Sequence, residues 1–142
     1  MPSCPLEDID RVADAQRRFL AAIAGIDDAA VARPSLLPGW TVGHVLTHVA
    51  RNADSHRRRA DAAVAGEVVE QYLGGWEGRA AEIQEGAARP ARELIDDVRI
   101  SAQRMAATGR ELPPEAWEVA SADVGGTVRA LRELPARRWQ EL

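Results

Sequence analysis

The segment Leu37-Pro38-Gly39-Trp40-Thr41-Val42-Gly43-His44-Val45-Leu46-Thr47-His48-Val49-Ala50-Arg51-Asn52 constrains the fold more than any other. Pro38-Gly39 imposes a turn, because proline fixes φ and glycine reaches backbone conformations closed to other residues. Thr41 follows as a helix cap, its hydroxyl able to accept from a free N–H of the first turn. Val42, Val45, Leu46 and Val49 then recur at three- and four-residue spacing, so the helix that starts here has one apolar face to bury.

The same helix carries chemistry. His44 and His48 are four residues apart and share one side of it, and Asn52 and His56 continue the stripe. Two histidines at this spacing can share a metal, or one can bind while the other orients a partner. The plainer reading is two hydrogen-bonded histidines at the edge of a helical core. A zinc site takes three or four ligands, so this pair is insufficient alone. Spacing does not choose the others among the remaining carboxylates and the late Glu141. The chain has no HExxH, no phosphate-binding loop and no nucleophile motif.

Little in the rest of the chain reads as strand. Alanine and leucine dominate and β-branched residues form no alternating runs, so an all-α fold is expected. A length of 142 residues suits a single domain, 1–142. The net charge of -4 disfavours nucleic acid as a partner. Every basic residue is arginine, which removes Schiff-base lysine chemistry. Cys4 is the single cysteine, so no disulfide can form within the chain, and a reducing cytoplasm is the simple expectation. Its place in a frayed N-terminus argues against catalysis. The N-terminus has no signal-peptide pattern, and no stretch approaches the ~20 apolar residues of a membrane span.

The patterning predicts a first helix from Leu6 to Ala24 stopped by Gly25, and a short helical turn at 27–32. The second helix runs from Thr41 to about Ala65. Arg57-Arg58-Arg59 on it reads as a solvated charge run; the other reading is capture of an anion. Tyr72-Leu73-Gly74-Gly75-Trp76 reads as a tight turn between helices. Helices follow at Glu77 to Glu85 and from Pro90 to about Thr108, where Gly109 ends the second. Ser121 to Val128 is extended or irregular, with a short hairpin possible. A last helix, Ala136 to Leu142, has Pro135 at its start.

The segment Leu37 to Asp54 resembles the signature of the mycothiol-dependent maleylpyruvate isomerase family, a branch of the DinB-like metal-binding four-helix bundles. The opening helix Ile9 to Ile26, Tyr72-Leu73-Gly74-Gly75, Arg79-Ala80-Ala81-Glu82-Ile83 and Leu131-Arg132-Glu133-Leu134-Pro135-Ala136-Arg137-Arg138-Trp139 extend the resemblance over nearly the whole chain. It implies an up-down-down-up bundle whose last helix is cut short, with the family's C-terminal domain absent. It implies a divalent metal, usually zinc, on three side chains. His48 takes the place of the first ligand and Glu141 that of the second. The third, a histidine, falls beyond Leu142. His44 is not the usual ligand. The resemblance implies mycothiol as cofactor, its thiolate adding to the cis double bond of maleylpyruvate and leaving after rotation to give fumarylpyruvate. Arg51, Asn52 and the Gly74-Gly75 turn are candidate contacts for that sugar-like thiol.

The expectation is thus a metal- and mycothiol-dependent isomerase or thiol transferase, cytoplasmic, acting on a small-molecule thiol and an electrophilic substrate. The alternative is a catalytically silent metal-binding or interaction bundle. A bundle with a shortened last helix exposes apolar surface, so a homodimer, or a partner supplying the helix, is expected too.

Overall fold

The computed structural model describes residues 3–142. Their helices are α1 (Leu6–Ile23), α2 (Asp28–Val31), α3 (Val42–Val64), α4 (Gly75–Gly86), α5 (Ala91–Glu111) and α6 (Leu134–Gln140). A small antiparallel hairpin, β1 (Ala120–Ala122) with β2 (Val128–Ala130), separates α5 from α6. Helix α3 packs most extensively on α5, α5 on α1, α1 on α6, and α6 back on α3. These four close a bundle, and α4 lies against α3 outside the ring.

The helix ends follow from their residues. Thr41 accepts from the His44 N–H, and the His44 side chain accepts from the Thr41 N–H, so α3 opens on a reciprocal capping box. It closes on Gly66 at φ 75°, with Gly66 N–H donating to Ala63 and Glu67 N–H to Ala62, the pairing that satisfies the last carbonyls. Pro90 precedes α5 and offers no side-chain cap. Asp28 on α2 supplies one instead, accepting from the Ala91 N–H at 2.8 Å.

Several sequence expectations change. Helix α5 runs through Gly109 to Glu111 and stops because Leu112, held extended by Pro113, cannot continue it. Helix α4 begins at Gly75, two residues before the predicted start. The Arg57–Arg59 run is no solvated face. Arg59 is buried and donates to Ser121 Oγ at 2.8 Å, and Arg58 donates to the Glu70 carbonyl at 2.9 Å. Cys4 is not frayed: it is partly buried against an apolar cluster, and Arg132 binds the Ser3 carbonyl at 2.7 Å. The segment 121–128 does form a hairpin turn, with Asp123 Oδ1 accepting from Gly125 and Thr127.

The core has two apolar clusters. One gathers Ile23, Val31, Leu46, Val49, Leu94 and Val98. The other gathers Ala60, Ala63, Trp117, Leu131 and Leu134. Between their α3 portions lies a buried polar belt that includes Asn52, Ser55 and His56.

Gly43 lets α3 approach the α4–α5 junction: a Cβ there would lie 2.1 Å from the Ala87 carbonyl oxygen. Gly43→Ala should therefore destabilise by about 1–3 kcal/mol despite alanine's better helix propensity. Urea unfolding of the two proteins checks this; an equal or raised midpoint would refute the close-approach account.

Candidate functional site

The loop before α3 is built to place one ring. Val42 N–H donates to the Arg33 carbonyl at 2.9 Å, and Ser35 N–H and Oγ both donate to the Trp40 carbonyl at 2.8 Å. Gly39 makes the turn at φ 76°. Trp40 is thereby held over the first turns of α3, its ring stacked 6.3 Å from His44 and tilted 5.6 Å from His48.

The two histidines then divide. His44 Nδ1 accepts from the Thr41 N–H at 3.1 Å, which leaves Nε2–H to donate to Gln84 Oε1 on α4 at 3.0 Å. Both of its nitrogens serve the fold. His48 faces inward, with a side chain 10% exposed. Its Nε2 lies 2.8 Å from Glu141 Oε2, at the C-terminal end of α6. Its Nδ1 lies 3.2 Å from Arg79 Nη2 on α4. Arginine only donates, so Nδ1 accepts and the proton sits on Nε2, which donates to the carboxylate. That hydrogen bond is the main reason the Glu141 carboxyl is held below its ordinary value. Burial opposes it, and the nearby charges of Arg79 and Arg138 reinforce it.

Arg79 is caged. Its guanidinium carbon lies 5.9 Å from the Trp40 ring, 6.0 Å from Tyr72 and 5.7 Å from Trp76. The chain has four tryptophans, one tyrosine and one phenylalanine, so half its aromatic side chains surround this one cation. Behind Glu141, Arg138 is buried. Its Nη1 donates to the Val49 carbonyl at 2.8 Å and to Asn52 Oδ1 at 3.0 Å, and Nη2 to Gln16 Oε1 at 3.4 Å. Burial pushes its pKa down to about 10, so it stays charged at neutral pH. Asn52 also donates to the Tyr72 hydroxyl at 3.4 Å.

Arg79 and Glu141 border a polar cavity of about 320 Å³ whose wall also includes Asn52, Arg59, Tyr72 and Trp76. Asn52 is on this wall, with its side chain bound to Arg138 and Tyr72. Arg51 is not on that wall: its guanidinium is taken up by Asp54, at 3.1 Å, and by Asp97, which Arg89 also binds. Arg79 and Arg138 were missed as site residues. Both lie inside the segments that carry the family resemblance, which was the one signal pointing to them. His56 is buried with both ring nitrogens unpartnered, and burial, then the charges of Arg59 and Arg138, hold its pKa well below the ordinary value. A second, apolar cavity of about 330 Å³ between α1, α3 and α5 involves neither His48 nor Glu141.

The pair His48 and Glu141 offers one nitrogen and one oxygen donor, the set a borderline cation such as zinc accepts. Among the described residues no group of three His, Cys, Asp or Glu side chains comes together. The two donors present fit a metal in kind, and would make up only part of a coordination shell.

The model of the mycothiol maleylpyruvate isomerase N-terminal domain matches residues 12–142. The chain belongs to this family. The crystal structure of a mycothiol-dependent maleylpyruvate isomerase superposes on it with TM-score 0.92 and 26% identity, covering 96% of this chain and 57% of that one. A histidine-to-alanine mutant structure of a mycothiol-dependent maleylpyruvate isomerase gives TM-score 0.91 and 25% identity at the same coverage. No curated protein sequence matches the chain. The bundle is thus the DinB-like fold of the isomerase N-terminal domain, and the chain spans 57% of the length of the solved structures it matches. No helix among the described residues is long and apolar enough to cross a membrane.

For this family domain the His48–Glu141 bond has a pH signature. Glu141 ionises below its usual 4.5 when folded and near that value when unfolded. Its stabilisation is complete above about pH 4.5 and disappears as pH falls through the lower folded value. Glu141→Gln should lower the Tm above that range, modestly because the side chain is 41% exposed, and converge with wild type in stronger acid. Thermal scans from pH 3 to 7 read it; a difference that grows toward acid pH contradicts the assignment.

Proposed function

We propose that this chain is the metal-binding domain of a mycothiol-dependent enzyme, an isomerase of the maleylpyruvate type or a thiol transferase, and that His48 and Glu141 hold a divalent cation, zinc by preference. One observation carries the reading: residues 93 apart in sequence place Nε2 and a carboxylate oxygen 2.8 Å apart beside a polar cavity. When bound, the cation would lower the pKa of a coordinated thiol so that it reacts as the thiolate.

The chain's own residues supply the rest. Trp40 covers one side of His48 and excludes water from it. Arg138 holds the α6 turn that carries Glu141. Arg59 and Arg79 place positive charge on the cavity wall, which suits an anionic electrophile and a polar thiol. The homodimer stands as part of the proposal, resting on exposed Leu36, Trp76 and Trp139.

A second reading has its own support. With no three-ligand group among the described residues, the chain by itself could be a silent metal-binding or interaction bundle. Elemental analysis of purified protein tests the site. Wild type should retain zinc and His48→Ala should lose it, and equal metal content in both would reject His48. A mycothiol conjugation assay on the 142-residue chain separates the two readings, since turnover excludes the silent bundle.

A further inference from the structure

A histidine that gives one ring nitrogen to a metal carries its proton on the other, and that N–H normally donates to a carboxylate, a carbonyl or water. His48 has the opposite arrangement. The group at Nδ1 is Arg79, a donor that does not deprotonate in proteins. If Nε2 gave its lone pair to a cation, neutral His48 would carry its proton on Nδ1. Two N–H groups would then face each other across the 3.2 Å now spanned by a hydrogen bond. The Arg79 contact and coordination through Nε2 exclude one another.

We infer that Arg79 is a positioning residue that locks His48 in the Nε2–H tautomer in the metal-free chain and must leave Nδ1 when Nε2 takes a cation. The inference rests on the metal-site reading above. The proton balance is simple: His48 stays neutral, Nε2–H gives its proton up to solvent, and Nδ1 takes one.

The surroundings of Arg79 suit such a movement. Among the described residues it forms no ion pair, and its one side-chain hydrogen bond is to His48 Nδ1. What else holds it is the set of Trp40, Tyr72 and Trp76 rings, whose attraction for a cation depends weakly on the position of the guanidinium over them. Its residue borders the polar cavity, so space for the displaced group lies alongside. The arriving cation itself repels the guanidinium from the ring it leaves. Trp40 contacts both His48 and Arg79, so the imidazole keeps its packing while its partner changes. Arg79 thus opposes loading of the site by a term the size of one charge-assisted hydrogen bond.

The test is ¹⁵N NMR of histidine-labelled protein, metal-free and zinc-loaded, with His48 assigned by the signal lost in His48→Ala. Metal-free wild type should have the proton on Nε2, and zinc-loaded wild type on Nδ1. In metal-free Arg79→Met the preference for Nε2–H should weaken. Zinc competition against a chromophoric chelator should find Arg79→Met binding about tenfold to a hundredfold tighter than wild type. A proton on Nδ1 in the metal-free wild type overturns the inference, and so does equal zinc affinity of wild type and Arg79→Met. Should the methionine variant unfold, Arg79→Gln provides the same comparison with a neutral polar side chain. Absence of any zinc binding by wild type would instead reject the metal-site reading, and the metal-free spectrum would still decide the tautomer.

Discussion

The buried guanidinium of Arg138 is the interaction on which the rest depends. It is fully enclosed and ties three helices together, through the Val49 carbonyl and Asn52 on α3 and Gln16 on α1. Burying a cation is expensive, and here the cost is offset by hydrogen bonds to neutral oxygens rather than by a direct ion pair. Helix α6 has seven residues, too few to persist without tertiary support. Its place against α3 is fixed by this anchor and by Leu134 in the apolar cluster. Glu141 comes three residues after Arg138, so the anchor decides where the carboxylate points.

The anchor also explains the division of the core. An arginine with its acceptors needs a polar layer, and α3 provides one in Asn52, Ser55 and His56 between two apolar stretches. Gln71 donates to Ser55 Oγ at 3.0 Å, and Ser55 to the Asn52 carbonyl at 2.7 Å, so the loop before α4 is stitched to the same layer. The turn at Gly74 and Gly75, with φ of 81° and 63°, then starts α4 and carries Arg79 back toward His48. Site and belt are one construction.

The helical bundle was legible because caps, prolines and apolar spacing act locally. Thr41, Pro90 and the α3 stripe mark their elements without reference to the rest of the chain. Gly109 misled because glycine is tolerated inside a helix that packing supports, whereas Pro113 acts sterically on Leu112 whatever the packing. The cations were the illegible part. Arg58 and Arg59, or Arg137 and Arg138, are identical letters side by side, and one of each pair is buried while its neighbour is less so. A charge pattern records no direction. His48 and Glu141 were placed by family resemblance, since spacing on one helix cannot identify a ligand on another.

His48 joins parts of the chain made at very different times during synthesis. Arg79 lies 31 residues after it and Glu141 lies 93 after it. Until α6 docks, the imidazole has no carboxylate beside it, and the buried layer that would hold one lacks its arginine. A chain made only as far as α5 presents His48 without that carboxylate partner. The contact between His48 and Glu141 therefore exists only once α6 has docked against α3.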